Sequence, residues 1–138
     1  MAETAPHGRT RLLIVEGHSY LRNLLHQLLF CDGSVEVIAE LESGMEAVGE
    51  SRRLRADLIL IDLQLPDSNG LAVTRMLIDV LPAARVILMI NRPEYRRLAL
   101  ECGAADTIVK DRLSLDLSAT LARHIARGAA LVHEKNDP

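Results

Sequence analysis

Short, uninterrupted apolar runs recur along the chain, and three of them end on a charged residue. Arg11-Leu12-Leu13-Ile14-Val15 ends at Glu16, Leu58-Ile59-Leu60-Ile61 at Asp62, and the less apolar Asp106-Thr107-Ile108-Val109 at Lys110. A fourth run, Val86-Ile87-Leu88-Met89, continues into Ile90 instead of a polar group. Runs this short with no polar alternation fit strands buried on both faces. The segments between them carry helical spacing. Leu21, Leu24, Leu25 and Leu28 form an i, i+3, i+4, i+7 face behind Ser19, which can cap that helix. Ser43 can cap a helix carrying Ala47 and Val48, and a third helix offers Leu71, Met76, Leu77 and Val80 before Pro82. Asn91, with Pro93 after it, opens a short helix whose inner side is Leu98, Ala99 and Cys102. The last helix buries Leu117, Leu121 and Ile125 and stops near Gly128.

Strands are expected over 11–16, 35–39, 57–61, 85–89 and up to Lys110, alternating strictly with five helices. That order predicts an α/β domain with a parallel sheet covered on both faces and right-handed crossovers. Ligands of such domains gather at the carboxyl ends of the strands. Glu16, Asp62 and Lys110 are therefore expected at one edge of one sheet.

At 138 residues the chain suits one domain: a lead over 1–10, the folded unit over 11–128, and a tail or the start of a linker over 129–138. Both a stand-alone protein and the N-terminal part of a larger one fit this length. Aromatic residues make up 2%, so Leu, Ile, Val and Ala must build the core. A net charge of −3 gives no electrostatic footprint for nucleic acid. Cys31 and Cys102 have no paired ligand spacing and read as buried free thiols. No apolar run approaches the roughly 20 residues of a membrane span, and the lead lacks the apolar core of a signal peptide. The expectation is a soluble, cytoplasmic protein.

Two carboxylates and an amine at strand ends suit phosphoryl chemistry. An aspartate can attack a phosphoryl group and hold it as an acyl phosphate. A divalent cation neutralises the developing charge, and a lysine pairs with a phosphoryl oxygen. The stretches "LLIVEGH", "ADLILIDLQLPDSNG", "ARVILMI" and "CGAADTIVKD" carry these groups. In them the chain resembles the receiver domain of a bacterial two-component response regulator, over about Arg11 to Gly128. The resemblance implies a flavodoxin-like, doubly wound five-stranded parallel sheet of order 2-1-3-4-5 flanked by five helices. It implies that Asp62 is the phosphoacceptor and Lys110 the phosphate-pairing lysine. Magnesium would be held by Glu16, Asp62 and the backbone carbonyl of Gln64. It further implies a histidine kinase as phosphate donor. A homodimer or a partner protein would contact the face formed by the fourth helix, fifth strand and fifth helix, with Tyr95, Leu115, Arg123 and Arg127 exposed there. The "LPDSNG" stretch and the Lys110-Asp111 pair look most like receivers that carry a helix-turn-helix output domain.

Four positions depart from the family pattern; one is Asn91, which stands where the family has a small residue. Gly17 stands where a second acid would bind the metal directly. Ile90 replaces the Thr or Ser that hydrogen-bonds the phosphoryl group, and Thr107 replaces the aromatic switch residue of the fifth strand. The stretch from Ile90 to Gly103 is about two residues short, which should shorten or reshape the fourth helix. Magnesium is accordingly expected to bind weakly or not at all. The chain reads as an atypical receiver, a signalling or interaction module with weakened or absent magnesium-dependent phosphorylation. The alternative is a conventional phosphoreceiver that takes phosphate on Asp62. An enzyme of the haloacid-dehalogenase type would want a second acid where Gln64 stands, so no enzymatic activity is expected. His18 is placed on the rim of the site. His7, His26, His124 and His133 read as helix-surface or tail residues, and Asp67 as a turn residue.

Overall fold

The apolar runs form the sheet because each strand is covered on both sides. The computed structural model describes residues 9–30 and 32–136, with side chains as far as residue 125. The strands are β1 (Thr10–Val15), β2 (Val35–Leu41), β3 (Leu58–Asp62), β4 (Arg85–Ile90) and β5 (Asp106–Val109). They form a single sheet of order β2-β1-β3-β4-β5, parallel throughout. The helices are α1 (Ser19–Leu29), α2 (Gly44–Leu54), α3 (Gly70–Val80), α4 (Arg96–Glu101) and α5 (Leu113–Asn136). The expected fold is the observed one.

Successive strand residues point to opposite faces, which divides the core in two. Leu13, Val15, Ile59, Ile61, Val86, Leu88 and Ile90 pack with Ala47 of α2, Val73 and Leu77 of α3 and Ala99 of α4. Leu12, Ile14, Leu58, Leu60, Ile87, Met89 and Ile108 pack with Leu25 and Leu29 of α1 and Leu117 and Leu121 of α5. Register then fixes the edge. Val15 lies beside Ile61, Asp62 beside Met89, and Ile90 beside Val109. Glu16, Asp62, Ile90 and Lys110 thus reach the same end of the sheet.

Several local expectations need correction. Ser19 is the first residue of α1, not its cap; the cap position is His18, which makes no side-chain capping bond. Ser43 does cap α2, accepting from the Glu46 N–H at 3.1 Å. Asn91 caps nothing, because a 3₁₀ turn over Pro93–Tyr95 precedes α4. That tighter turn shifts the helical phase. Tyr95 and Ala99 therefore face the core, while Leu98 is exposed. Only six residues of α4 are α-helical, consistent with the expected shortening. Thr10 belongs to β1 and not to the lead. Helix α5 passes through Gly128 to Asn136. A helical glycine costs about 1 kcal/mol against alanine, and Ala129-Ala130-Leu131, strong helix formers, follow it. Cys102 is a partly exposed free thiol, and Cys31, His7 and His133 lie outside the residues whose side chains are described.

Candidate functional site

The site forms where β1, β3 and β5 end. Glu16 and Asp62 have no solvent exposure. Lys110 Nζ lies 2.6 Å from Asp62 Oδ1, and the Gln64 N–H donates to the same oxygen at 2.8 Å. Asp62 Oδ2 has no hydrogen-bond partner among the described residues. Glu16 Oε2 accepts from the His18 N–H at 3.1 Å, and His18 Nδ1 lies 3.1 Å from it. Glu16 Oε1 also lacks a partner. Glu16 is therefore neither solvated nor paired with Lys110.

Two carboxylates share a dry pocket, and electrostatics follow. Burial pushes the Glu16 pKa up to about 7; the adjacent Asp62 carboxylate adds to the rise, and the His18 N–H opposes it. One donor atom from each of Glu16, His18 and Asp62 lies within 4.8 Å of the others, so the trio could hold a divalent ion. The two oxygens without partners fit such an ion, because buried carboxylate oxygens normally have one.

Gly17 is held by contact. A Cβ there would come 2.8 Å from Pro66 Cδ and 2.9 Å from Pro66 Cγ. Any larger residue must displace the proline ring. Ile90 is wholly buried in the core that α2, α3 and α4 cover. It offers neither donor nor acceptor at its side chain. Thr107 is nearly buried, and Arg96 Nη1 donates to its hydroxyl at 3.0 Å.

Asp67 is more than a turn residue. Its carboxylate accepts from Ser43 Oγ at 2.7 Å, the Gly44 N–H at 2.9 Å and the Met45 N–H at 3.2 Å. The Ser43 hydroxyl first, then these amides, hold its carboxyl well below the usual carboxylate range. The loop after Asp62 is thus fastened to the start of α2.

A third buried carboxylate, Asp106, carries no signal in the sequence. Asp106 Oδ1 accepts from Arg96 Nη1 and from the Thr107 N–H, both at 2.9 Å. Its Oδ2 accepts from Arg123 Nη2 at 2.7 Å and lies 3.0 Å from His124 Nε2. Burial alone would raise the Asp106 pKa, but the bonds from Arg123, His124, Arg96 and the Thr107 N–H hold it well below the usual range. His124 is buried, against its expected place on the helix surface. The spacing that marks Leu117, Leu121 and Ile125 also puts Thr120 and His124 on the inner face, and that was the available signal. Of the residues expected to be exposed on this side, Leu115 is 70% exposed. Tyr95 is partly buried, and Arg123 is exposed but tied to Asp106. The Arg127 side chain lies outside those described.

A 2-1-3-4-5 parallel sheet with a lysine-paired aspartate at the end of its middle strand defines a class of signalling domain. The receiver-domain model of response regulators matches residues 12–122, and the chain belongs to that family. Receiver domains are signalling modules, not enzymes. The chain is 29% identical over 137 residues to the transcriptional regulatory protein DegU of Brevibacillus brevis, covering 98% of this chain and 58% of that one. It is 32% identical over 128 residues to protein-glutamate methylesterase/protein-glutamine glutaminase 1 of Syntrophus aciditrophicus, covering 90% and 37%. It therefore spans well under two thirds of either relative. A LuxR-family two-component response regulator from Aurantimonas superposes with a TM-score of 0.79 at 24% identity, over 86% of each chain. The response regulator domain of Thermotoga maritima CheB gives 0.74 at 22% identity, over 94% and 98%. At these identities the two structures speak for the fold alone. Among the described residues, no helix is long and apolar enough to cross a membrane.

Proposed function

We propose that this receiver is an atypical one, a signalling and interaction module in which magnesium-dependent phosphorylation of Asp62 is weakened or absent. The observation that carries the reading is the end of β4. Ile90, buried in the core, stands where a hydroxyl would hold a phosphoryl oxygen. A hydrogen bond to a charged acceptor contributes about 1.5–3 kcal/mol. Losing it removes about one to two orders of magnitude of preference for a phosphorylated active state. Gly17 supports the same reading at the metal step, since it supplies no oxygen and Pro66 closes over it. When bound, magnesium would neutralise charge on a transferring phosphoryl group; Glu16, Asp62 and the Gln64 carbonyl are the residues that would hold it. Asp62 would be the attacking group, and Lys110 would turn from it to the phosphoryl oxygen.

Signalling then depends on contacts, with the α4–β5–α5 face as the surface for a second copy or a partner protein. Among the described residues, Leu115 of α5 and Leu98 and Leu100 of α4 are exposed apolar side chains there. One feature favours a second reading, a conventional phosphoreceiver fed by a histidine kinase: the direct Lys110–Asp62 pair at 2.6 Å. Incubation with acetyl phosphate and magnesium, followed by intact-mass analysis of acidic, cold samples, separates the two. Most of the protein should stay unmodified. Near-complete addition of one phosphoryl mass, absent from Asp62→Asn, would establish the second reading instead.

A further inference from the structure

His18 has no role in phosphoacceptor chemistry, yet it sits against the buried carboxylate pair. Its ring is 67% exposed, while the Glu16 side chain it touches is fully buried. Lys110 and the Gln64 N–H both occupy Asp62 Oδ1, which leaves Oδ2 free. Glu16 Oε1 is free as well. Two wholly buried carboxylates, each with one oxygen lacking a partner, mark a place for a cation. The donor set then decides which cation. Magnesium seeks near-octahedral oxygen coordination and gives up its water reluctantly. Gly17 provides no oxygen to help it. An imidazole nitrogen suits borderline transition-metal ions, which also accept fewer ligands and mixed nitrogen and oxygen sets.

We propose that Glu16, His18 and Asp62 form a mixed nitrogen–oxygen site for a borderline divalent transition-metal ion, which this pocket prefers to magnesium. The inference rests on the atypical reading in one respect, that Gly17 leaves the pocket poor for magnesium. His18 would take over the role of the missing acid as third protein ligand. The ligand differs in kind, and so does the ion it selects. The ion would balance the charge of the carboxylate pair without a proton held between them, and Lys110 would stay on Oδ1.

Calorimetric titration of the whole chain with Co2+ alone and with Mg2+ alone tests this. The visible absorption of bound Co2+ reports on imidazole ligation. The variants are His18→Ala, Asp62→Asn and, as a control for the surface pair of His26 with Glu40, His26→Ala. Circular dichroism checks that each is folded. Co2+ should bind at one site per chain about tenfold or more tighter than Mg2+, in line with the rising affinity of nitrogen-containing sites along the transition series. His18→Ala should abolish that advantage and alter the Co2+ spectrum, leaving Mg2+ affinity within about twofold, because an oxygen-seeking ion does not use the imidazole. Asp62→Asn should weaken both ions, and His26→Ala neither. Co2+ binding no tighter than Mg2+, or unchanged in His18→Ala, would overturn the site. Tight Mg2+ binding that ignores His18 would instead overturn the weak-magnesium reading, so the two failures are distinct.

Discussion

Among the described residues two carboxylate centres are buried, and their surroundings are opposite in kind. Around Asp106 both carboxylate oxygens have partners: two arginines, a histidine and a backbone amide. Around Glu16 and Asp62, two oxygens have none. Burial of a charge is tolerable only when hydrogen bonds and opposite charges replace water. The Asp106 carboxylate meets that condition from within the chain and ties α4, β5 and α5 together, while Nδ1 of the buried His124 beside it has no partner among the described residues. The second centre does not meet that condition with partners among the described residues. Where partners are complete the carboxylate ties elements together; where they are not, it leaves an acceptor available.

The largest effect should come from opening the satisfied centre. Asp106→Ala leaves the buried His124 and the Thr107 amide without their acceptor. Urea denaturation should show a loss of about 2–4 kcal/mol. Arg96→Ala or Arg123→Ala should cost far less, because both arginines are more than half exposed and solvent screens them. Acid should act through the same group. The folded pKa of Asp106 is depressed, so its contribution is complete above the unfolded value and lost as pH falls through the folded one.

Glu16→Gln should move stability the other way. The folded pKa of Glu16 is raised to about 7, so the folded state holds its proton more tightly than the unfolded state. Stability then falls as pH rises from the model-peptide value toward 7, and stays low above it. The amide variant removes that slope. At pH 8 without metal it should be more stable than the natural chain by on the order of 1–3 kcal/mol, with the gain vanishing in mild acid. Equal stability at pH 8 would show that the pocket is not under electrostatic tension, and the contrast between the two centres would collapse.

The third test asks whether the unsatisfied centre can be completed with oxygen. Gly17→Asp alone should add little magnesium affinity, since Pro66 occupies the approach. Gly17→Asp with Pro66→Ala should bind Mg2+ about tenfold tighter than the natural chain, a gain of about 1.4 kcal/mol. Titration calorimetry compares them, and equal gains from the single and double variants would show that the ring yields freely. The smallest effect concerns switching. Saturating beryllofluoride should shift amides only in the loops around Asp62 and Lys110. Ile90 has no hydroxyl and Thr107 no ring, so the two discrete arrangements such a switch requires are missing. Large shifts across α4 and β5 would reveal a different coupling.

The fold was legible because it rests on local pattern. Uninterrupted strands and amphipathic helices alternate without exception, and the strand ends named Glu16, Asp62 and Lys110. What stayed hidden depends on side chains meeting across long sequence separations. Asp106 looked like an ordinary strand start, and nothing in its neighbourhood announced Arg123 and His124 on the last helix. The reach of Asp67 to Ser43 crosses from one loop to another, so turn chemistry alone could not reveal it. The phase of α4 is not legible from spacing because a 3₁₀ turn and an α-helix have different periods, and Tyr95 rather than Leu98 packs on the core.

The bonds from Ser43, Gly44 and Met45 to Asp67 have a consequence for how this domain breathes. The segment from Gln64 to Asn69 is closed on itself by Leu65 N–H to Ser68 carbonyl at 3.2 Å and by Gly70 N–H to Leu63 carbonyl at 2.7 Å. Its outer end is moored to the first turn of α2. Loop and helix start therefore cannot open separately without stranding an acceptor or its donors. In solvent-exchange terms they form one cooperative unit. The amides of Gly44, Met45, Leu65 and Gly70 should trade their protons together, at a common rate that Asp67→Ala would split.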